Sequence, residues 1–325
     1  MNPQFKRGYI TYTNSDNNVV IIAPHSGPAV EFSTARDDNS ETVASLLFKK
    51  IKGKLIISNM PRNRIWGVDF NRDIPSLKTA LTAYEKFLGK KDKRYLFDFR
   101  QKYAFVASNE DDYENRLTIY QNFWGEIIKG KYIILIHRSF PRVKSLPSIM
   151  DFVTFKDNGV KNGVIHEIVT SINEKYYNFL SDIDLAYKKM IMFEQERAVI
   201  NNLKIYKTIN PLRLQGEYKV SIEKDLEKIE TYASKYYVEK LKDNFTPQNF
   251  LEACRSALDN SPTPQITIEN VFDGSLAHGP NRKLFPAKGR IVLEAEPSRF
   301  LNFWYPKVTA EIIKDVLDRL IEINN

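Results

Sequence analysis

The chain has 325 residues, of which 42% are hydrophobic and 27% are charged, a composition typical of a globular protein with a substantial buried core. The formal net charge of +8 is compatible with nucleic-acid binding, but the lysines are interspersed with glutamates, as in residues 221–242, and form no basic block, which is more typical of a solvated exterior. A single cysteine, Cys254, excludes an internal disulfide and a cysteine-rich metal site.

The first part of the chain alternates strand-like and helix-like segments. Short apolar runs predict buried strands, and apolar residues spaced three or four apart predict the helices between them. This alternation predicts an α/β fold with a mixed, mainly parallel sheet flanked by helices. In chain order, the predicted elements are strand Val19–Ala23, helix Ser40–Lys52, strand Lys54–Ser58, helices Leu77–Leu88 and Tyr113–Ile128, and strand Tyr132–Ile136.

The middle of the chain differs from its two ends. Residues 173–260 are long, helical and charged, with one weak strand signal at Glu217–Val220. We interpret residues 173–260 as a helical insertion within a single domain that spans residues 1–325. The strand pattern returns at Gln265–Ile268 and Arg290–Glu296, and an amphipathic helix at Lys307–Ile323 closes the chain.

Export and membrane insertion are not indicated by the sequence. The N-terminal residues contain no apolar stretch of signal-peptide length. No apolar run approaches the ~20 residues that span a bilayer. We therefore expect a cytoplasmic protein without membrane contact, while the sequence gives no indication of its oligomeric state.

Three predicted strands end in side chains that can bind a metal ion or transfer a proton. His25 follows the first strand and His137 follows the strand that ends at Ile136. The last strand carries Glu294 and Glu296 on one face. In open α/β sheets, functional groups gather beyond the carboxyl ends of strands, so these side chains are expected to meet.

Two histidines and two carboxylates would suit a catalytic zinc site. Imidazole nitrogens and a carboxylate oxygen are usual zinc ligands, with one position left for water. Zinc lowers the pKa of that water, and a separate carboxylate then moves its proton to the leaving nitrogen. His25, His137 and Glu296 supply three of the four groups required.

The remaining carboxylate ligand should come soon after His25. A structural reading of the same region makes Asp38 or Ser40 the cap of the next helix, with Glu41 completing a capping box. That reading leaves one aspartate without a role. The candidate ligands are therefore Asp37 and Asp38, followed by Glu31 and Glu41.

Four short motifs occur in a particular order along the chain. They are Pro24-His25-Ser26-Gly27, Asp69-Phe70-Asn71-Arg72, Ile136-His137-Arg138-Ser139 and Glu296-Pro297-Ser298-Arg299. This arrangement resembles the N-formylglutamate amidohydrolase family of the zinc carboxypeptidase-like superfamily. The loop Asn270–Gly279 is similar to the segment that closes over the site in that family.

The resemblance implies a phosphorylase/hydrolase-like, zinc-peptidase-like fold and a zinc-dependent hydrolase. Zn²⁺ would be held by His25, His137 and an aspartate, with Glu296 as general base. Asn71 and Arg72 would bind the substrate carboxylate, since an arginine offers paired hydrogen bonds to such a group. The substrate would be a small anionic amide or peptide, cleaved at an amide bond next to a carboxylate-bearing group.

Two other functions are compatible with the sequence. One is a non-catalytic binding or interaction protein that retains the fold. The other is a basic nucleic-acid-binding protein, which the net charge of +8 suggests without any reader motif to support it.

Overall fold

A mixed β-sheet forms the centre of the molecule. The computed structural model describes residues 3–15, 18–30, 36–89, 93–203, 217–285 and 289–324. Within these residues the sheet has eight strands, in the order β1-β2-β4-β3-β5-β8-β6-β7. The strands are β1 (Gln4–Lys6), β2 (Tyr9–Thr13), β3 (Val19–Ala23), β4 (Lys54–Ser58), β5 (Tyr132–Ile136), β6 (Ser148–Val153), β7 (Gln265–Ile268) and β8 (Ile291–Pro297).

The central strands of the sheet are parallel. Strand β3 lies between β4 and β5, and β5 lies beside β8, all in the same direction. Strand β6 runs antiparallel to β8 and parallel to the edge strand β7, while β1 and β2 form an antiparallel flank. The carboxyl ends of β3, β5 and β8 therefore open at one edge of the sheet, where the loops that follow them converge.

Helices cover both faces of the sheet. Twelve α-helices lie in the described residues, in addition to a short 3₁₀ turn at Val143–Ser145. They are α1 (Ser40–Lys50), α2 (Leu77–Leu88), α3 (Lys93–Lys102), α4 (Glu110–Ile127), α5 (Asn162–Lys175), α6 (Tyr177–Asn201), α7 (Glu217–Tyr232), α8 (Lys235–Asp243), α9 (Pro247–Asn260), α10 (His278–Leu284), α11 (Arg299–Trp304) and α12 (Pro306–Ile323).

The two faces of β3 bury their side chains in different cores. Ile21 belongs to a large cluster that includes residues of α1, α5 and α12. Its neighbour Ile22 belongs to a second cluster with Phe70 and with Phe123 of α4. Because successive side chains of a strand point to opposite faces, the wholly apolar sequence of β3 follows from burial on both sides. The predicted α/β fold with helices flanking a mixed sheet is confirmed.

The helical middle of the chain packs onto the sheet. Residues of α5, α6, α7 and α9 share the large cluster with the strands, so this region contributes to the main core. The helices begin at Asn162, earlier than the predicted start at residue 173. The weak strand signal at Glu217–Val220 was wrong, because these residues form the first turn of α7. Their alternating pattern is too short to outweigh the helical spacing of the residues that follow.

Most predicted strands match the structure closely. Strands β3, β4, β5 and β7 have the predicted bounds, whereas β1, β2 and β6 were not predicted. None of the described helices combines the length and the apolarity that crossing a membrane would require.

Candidate metal centre

The chain turns sharply after β3 and places His25 at the edge of the sheet. The hydroxyl of Ser26 donates to the carbonyl oxygens of Ala23 and Ser58, each at 2.8 Å, and so joins the ends of β3 and β4. Gly27 lies against the backbone of Met60, and a Cβ at this position would be 1.9 Å from the Met60 oxygen. The motif therefore has a physical basis: the serine joins two strands and the glycine permits a close backbone approach.

Asp37 returns to the end of the same strand. Its backbone N–H donates to the His25 carbonyl at 2.9 Å, which holds the two residues side by side. The Oδ2 atom of Asp37 lies 3.2 Å from Nδ1 of His25 and 2.8 Å from Nδ1 of His137. All three side chains are buried.

His137 is positioned by an extension of the pairing between β5 and β8. Its backbone N–H donates to the Ala295 carbonyl at 2.9 Å, and the N–H of Ser139 donates to the Pro297 carbonyl at 2.9 Å. The two strands therefore stay in register past their ends. The His137 ring lies 4.7 Å from the His25 ring, measured between centroids.

His25, Asp37 and His137 have the donor set and spacing of a metal site. One potential ligand atom from each residue lies within 4.8 Å of the other two. Zinc bonds of about 2.0–2.2 Å in a tetrahedral arrangement place neighbouring ligand atoms about 3.3 Å apart, close to the distances from Asp37 Oδ2 to the imidazole nitrogens. Two imidazoles and a carboxylate are ligands that zinc commonly takes.

Electrostatics keep Asp37 ionised. Burial by itself would raise the pKa of Asp37, but hydrogen bonds and charge from His137 and His25 hold it well below its usual range. Burial would likewise lower the pKa of His137, but the Glu294 and Asp37 carboxylates overcome this and raise it. Binding of a metal ion requires an ionised carboxylate and neutral imidazoles, so the ion would compete with any proton held by His137.

A second carboxylate supports His25 from its other side. Nε2 of His25 lies 2.9 Å from Oδ1 of Asp69, which is fully buried. The other oxygen of Asp69 lies 3.0 Å from Nε of Arg62 and 2.8 Å from Nη2 of Arg64. Burial would raise the pKa of Asp69, but Arg64, Arg62 and His25 hold it well below its usual range. A carboxylate on the distal nitrogen is a frequent support for a metal-binding histidine.

His137 has a looser set of neighbours on its distal nitrogen. Nδ2 of Asn71 lies 3.2 Å from Nε2 of His137, and Oε2 of Glu294 lies 3.7 Å from the same nitrogen. Oδ1 of Asn71 is buried and has no hydrogen-bond partner among the described residues. The predicted substrate-binding residue Asn71 therefore contacts a predicted metal ligand.

Glu294 and Glu296 lie on one side of β8, and both are buried. Within the described part of the chain, the Oε2 atom of each has no hydrogen-bond partner. Burial raises the pKa of Glu296, the Glu294 and Asp37 carboxylates raise it further, and it lies well above its usual range. Glu296 is thus a buried carboxyl group within electrostatic reach of the proposed ligand Asp37.

The other acidic candidates lie outside the cluster of His25, Asp37 and His137. Asp38 is partly exposed and lies 3.8 Å from Nε of Arg36. Glu41 pairs with Nη2 of Arg36. The expected cap of α1 was wrong: the helix begins after Asn39, which has a φ of 63° and makes no capping bond through its side chain. Glu31 lies outside the described residues.

Arg72 anchors a neighbouring loop. Its Nε donates to the Arg100 carbonyl at 3.2 Å and its Nη1 to the Leu276 carbonyl at 2.5 Å. The N–H of Gly279 donates to the Asn71 carbonyl at 3.1 Å, so residues 276–279 lie directly beside this motif. The predicted role of Arg72 in binding a substrate carboxylate stays a prediction.

Comparisons with known proteins identify a fold. No protein-family model matches the chain, and no curated protein matches it. A solved structure, gene product Atu2144 from Agrobacterium tumefaciens, is similar, with a TM-score of 0.51 and 10% sequence identity. The match covers 98% of this chain and 96% of that one. The two chains share an overall fold. At this identity the likeness extends to the fold and not to chemistry.

Sequence reasoning missed the part played by Asp69. The family resemblance gives roles to Asn71 and Arg72 of this motif and none to Asp69, whereas in the structure Oδ1 of Asp69 lies 2.9 Å from Nε2 of His25, 44 positions away in the chain. The position of Asp69 between two apolar residues, Val68 and Phe70, is the sequence feature that indicates a buried carboxylate. A buried carboxylate requires compensating partners, and the nearby Arg62 and Arg64 were available for that purpose.

Proposed function

We propose that this protein is a zinc-dependent hydrolase, similar to N-formylglutamate amidohydrolases, that cleaves an amide bond next to a carboxylate-bearing group. The convergence of His25, Asp37 and His137 in a buried cluster is the observation that carries the proposal. Nδ1 of each histidine and Oδ2 of Asp37 would hold the ion. When bound, zinc supplies a Lewis acid that polarises a carbonyl and lowers the pKa of water.

The chain's own residues supply orientation and proton transfer. Asp69 fixes the ring of His25 through Nε2, and the contacts of Asp69 with Arg62 and Arg64 restrain the carboxylate. Such outer contacts keep a ligand's donor atom aimed at the ion. Glu296 would take up a proton and later deliver it to the leaving nitrogen. A pKa raised by burial and by neighbouring carboxylates suits this role.

Zinc binding and hydrolysis test the proposal together. The full-length chain is loaded with zinc, freed of excess metal, and incubated with N-formyl-L-glutamate while released formate is measured. We expect zinc-dependent hydrolysis that a chelator removes and that is lost in His25→Ala. Arg255→Gln, which changes an exposed arginine far from the cluster along the chain, serves as the control.

The possible outcomes separate the candidate functions. A chain that retains no zinc contradicts the proposal. A chain that binds zinc without hydrolysing N-formyl-L-glutamate or other N-acyl amino acids favours the non-catalytic binding protein. Hydrolysis that persists in Glu296→Gln at the wild-type rate assigns the proton transfer to another group.

A further inference from the structure

Arg138 follows His137 directly and has no role in the site described above. Its side chain is only 1% exposed. The guanidinium lies over the ring of Phe140, with Cζ 4.1 Å from the ring centroid. A guanidinium placed over an aromatic face gains a cation–π contact that helps to hold it in position.

The hydrogen bonds of this guanidinium are incomplete within the residues that the structure describes. Nη2 donates to the Arg36 carbonyl at 2.7 Å. Nε and Nη1 have no hydrogen-bond partner among those residues. Oδ2 of Asp38 is 3.6 Å from Nη1, which is beyond hydrogen-bonding distance. Leaving donors of a buried charged group unsatisfied costs free energy, so an anion placed there would gain strong, charge-assisted bonds.

Arg138 lies beside the segment that carries the proposed ligand Asp37. Its Nη2 donates to the carbonyl of Arg36 and its Nη1 lies 3.6 Å from Oδ2 of Asp38, so residues on both sides of Asp37 in the chain contact this side chain. Its position in the chain, next to His137, places its backbone at the same strand end. A ligand bound to Arg138 would therefore lie close to groups that we propose to act in catalysis.

The arginine that the sequence favoured for a substrate carboxylate has other partners. Two donors of Arg72 are directed at backbone carbonyl oxygens, those of Arg100 and Leu276. Arg138, in contrast, combines a buried charge with donors that lack acceptors in the described part of the chain. We infer that Arg138 is a receptor for the substrate's carboxylate group, through Nε and Nη1. This inference rests on the proposed function for its substrate, although carboxylate binding itself requires no metal.

A binding measurement on the metal-free, full-length chain tests this role. The probe is glutarate, a small dicarboxylate, and glutaramide is its neutral counterpart. We expect glutarate to bind, as measured by calorimetry, and glutaramide to bind at least about 10-fold more weakly. Arg138→Gln should weaken glutarate binding by about 10- to 100-fold, since charge-assisted hydrogen bonds are lost.

Two further variants separate recognition from folding. Arg138→Lys keeps the charge but loses the planar donor arrangement, and we expect an intermediate affinity for glutarate. Arg255→Gln, at an exposed arginine, should bind glutarate like the wild type. A purely structural Arg138 would change the thermal unfolding temperature and leave the glutarate affinity of the folded variants unchanged, and that result overturns the inference.

The wild-type chain provides a test that needs no variant. Glutarate should raise the thermal unfolding temperature of the metal-free protein, and glutaramide should not. Absence of this difference overturns the inference. Stabilisation by inorganic phosphate without stabilisation by glutarate overturns the assignment to a carboxylate.

The inference and the proposed function can fail separately. Zinc-dependent hydrolysis that does not depend on Arg138, with unchanged glutarate affinity in Arg138→Gln, removes the inference and leaves the function. Arg138-dependent glutarate binding in a chain that retains no zinc removes the function and leaves a carboxylate-binding site.

Discussion

The two histidines of the cluster make the same contact with Asp37 but are supported differently. On one side, Nε2 of His25 lies 2.9 Å from Asp69, a carboxylate that two arginines also contact. On the other side, Nε2 of His137 has the Asn71 amide at 3.2 Å and Glu294 at 3.7 Å. Beside His25, both oxygen atoms of Asp69 have partners. Beside His137, Oδ1 of Asn71 and Oε2 of Glu294 are buried and have no hydrogen-bond partner among the described residues.

This difference suggests a division of work within the site. In the proposed metal site, the His25 side would fix the orientation of the ligand, because both oxygens of Asp69 already have partners. The His137 side adjoins Glu294 and Glu296, whose buried oxygens can exchange a proton or accept a bond. A rigid support next to an adjustable one fits a centre that must hold an ion and also move protons.

The largest expected effect comes from the residue that both sides share. Asp37→Ala removes the carboxylate between the two imidazoles, so zinc affinity should fall by more than the ~10- to 100-fold typical of a supporting group. Equilibrium titration with a competing chelator measures this. The neighbouring Asp38→Ala is the matched control and should keep its affinity. Equal losses in the two variants would contradict the assignment of Asp37.

The next effect concerns Glu296, the proposed proton carrier on the His137 side. Glu296→Gln keeps the shape of the side chain but cannot take up the proton. We expect hydrolysis to fall by about 10²- to 10⁴-fold while zinc binding is retained. Steady-state kinetics on the zinc-loaded variant checks this, with zinc content measured on the same sample. A loss of zinc together with activity would instead place Glu296 among the metal ligands.

A smaller effect is expected from changing the carboxylates next to the two histidines, Asp69 beside His25 and Glu294 beside His137. Asp69→Asn weakens the support of His25, and we expect zinc affinity to fall by about 10- to 100-fold. Glu294→Gln should cost less, because its oxygen lies 3.7 Å from His137 Nε2, too far for a full hydrogen bond. The same chelator titration ranks both variants. A larger loss in Glu294→Gln would reverse the proposed division of work.

The smallest effect concerns the anchor next to Asn71. Arg72→Gln leaves the Arg100 and Leu276 carbonyls without these donors, and the free energy of unfolding should fall by about 1–3 kcal/mol. Denaturant unfolding measures this change. If Arg138 carries the substrate carboxylate, the folded variant should bind substrate almost as well as the wild type. Substrate binding weakened by about 10-fold or more would support the carboxylate role predicted for Arg72.

The sequence predicted the central strands well because burial on two faces leaves little ambiguity. Strands β3 and β5 are wholly apolar, and an apolar run of five residues between polar turns has few other interpretations. Strand β6 was missed because Asp151 interrupts its apolar run. That aspartate is compensated by backbone N–H groups of residues 270–272, which lie more than a hundred positions away and have no local signal.

The sequence predicts which candidate side chains lie close together when they follow strand ends, but not when they lie in loops. Parallel strands that share an edge bring His25 and His137 together, and topology alone accounts for this. The choice between Asp37 and Asp38 depends on how the preceding loop returns to β3, which two adjacent aspartates cannot indicate. The contact between Asp69 and His25 was not predictable for the same reason, because tertiary structure brings together two residues that are 44 positions apart.

The central claim is that His25, Asp37 and His137 bind one metal ion together. The most direct measurement is the zinc content of the wild-type chain and of Asp37→Ala, after loading with zinc and gel filtration. We predict about one zinc ion per wild-type chain and almost none in the variant. A wild-type chain without zinc, or a variant that retains as much zinc as the wild type, would contradict the account.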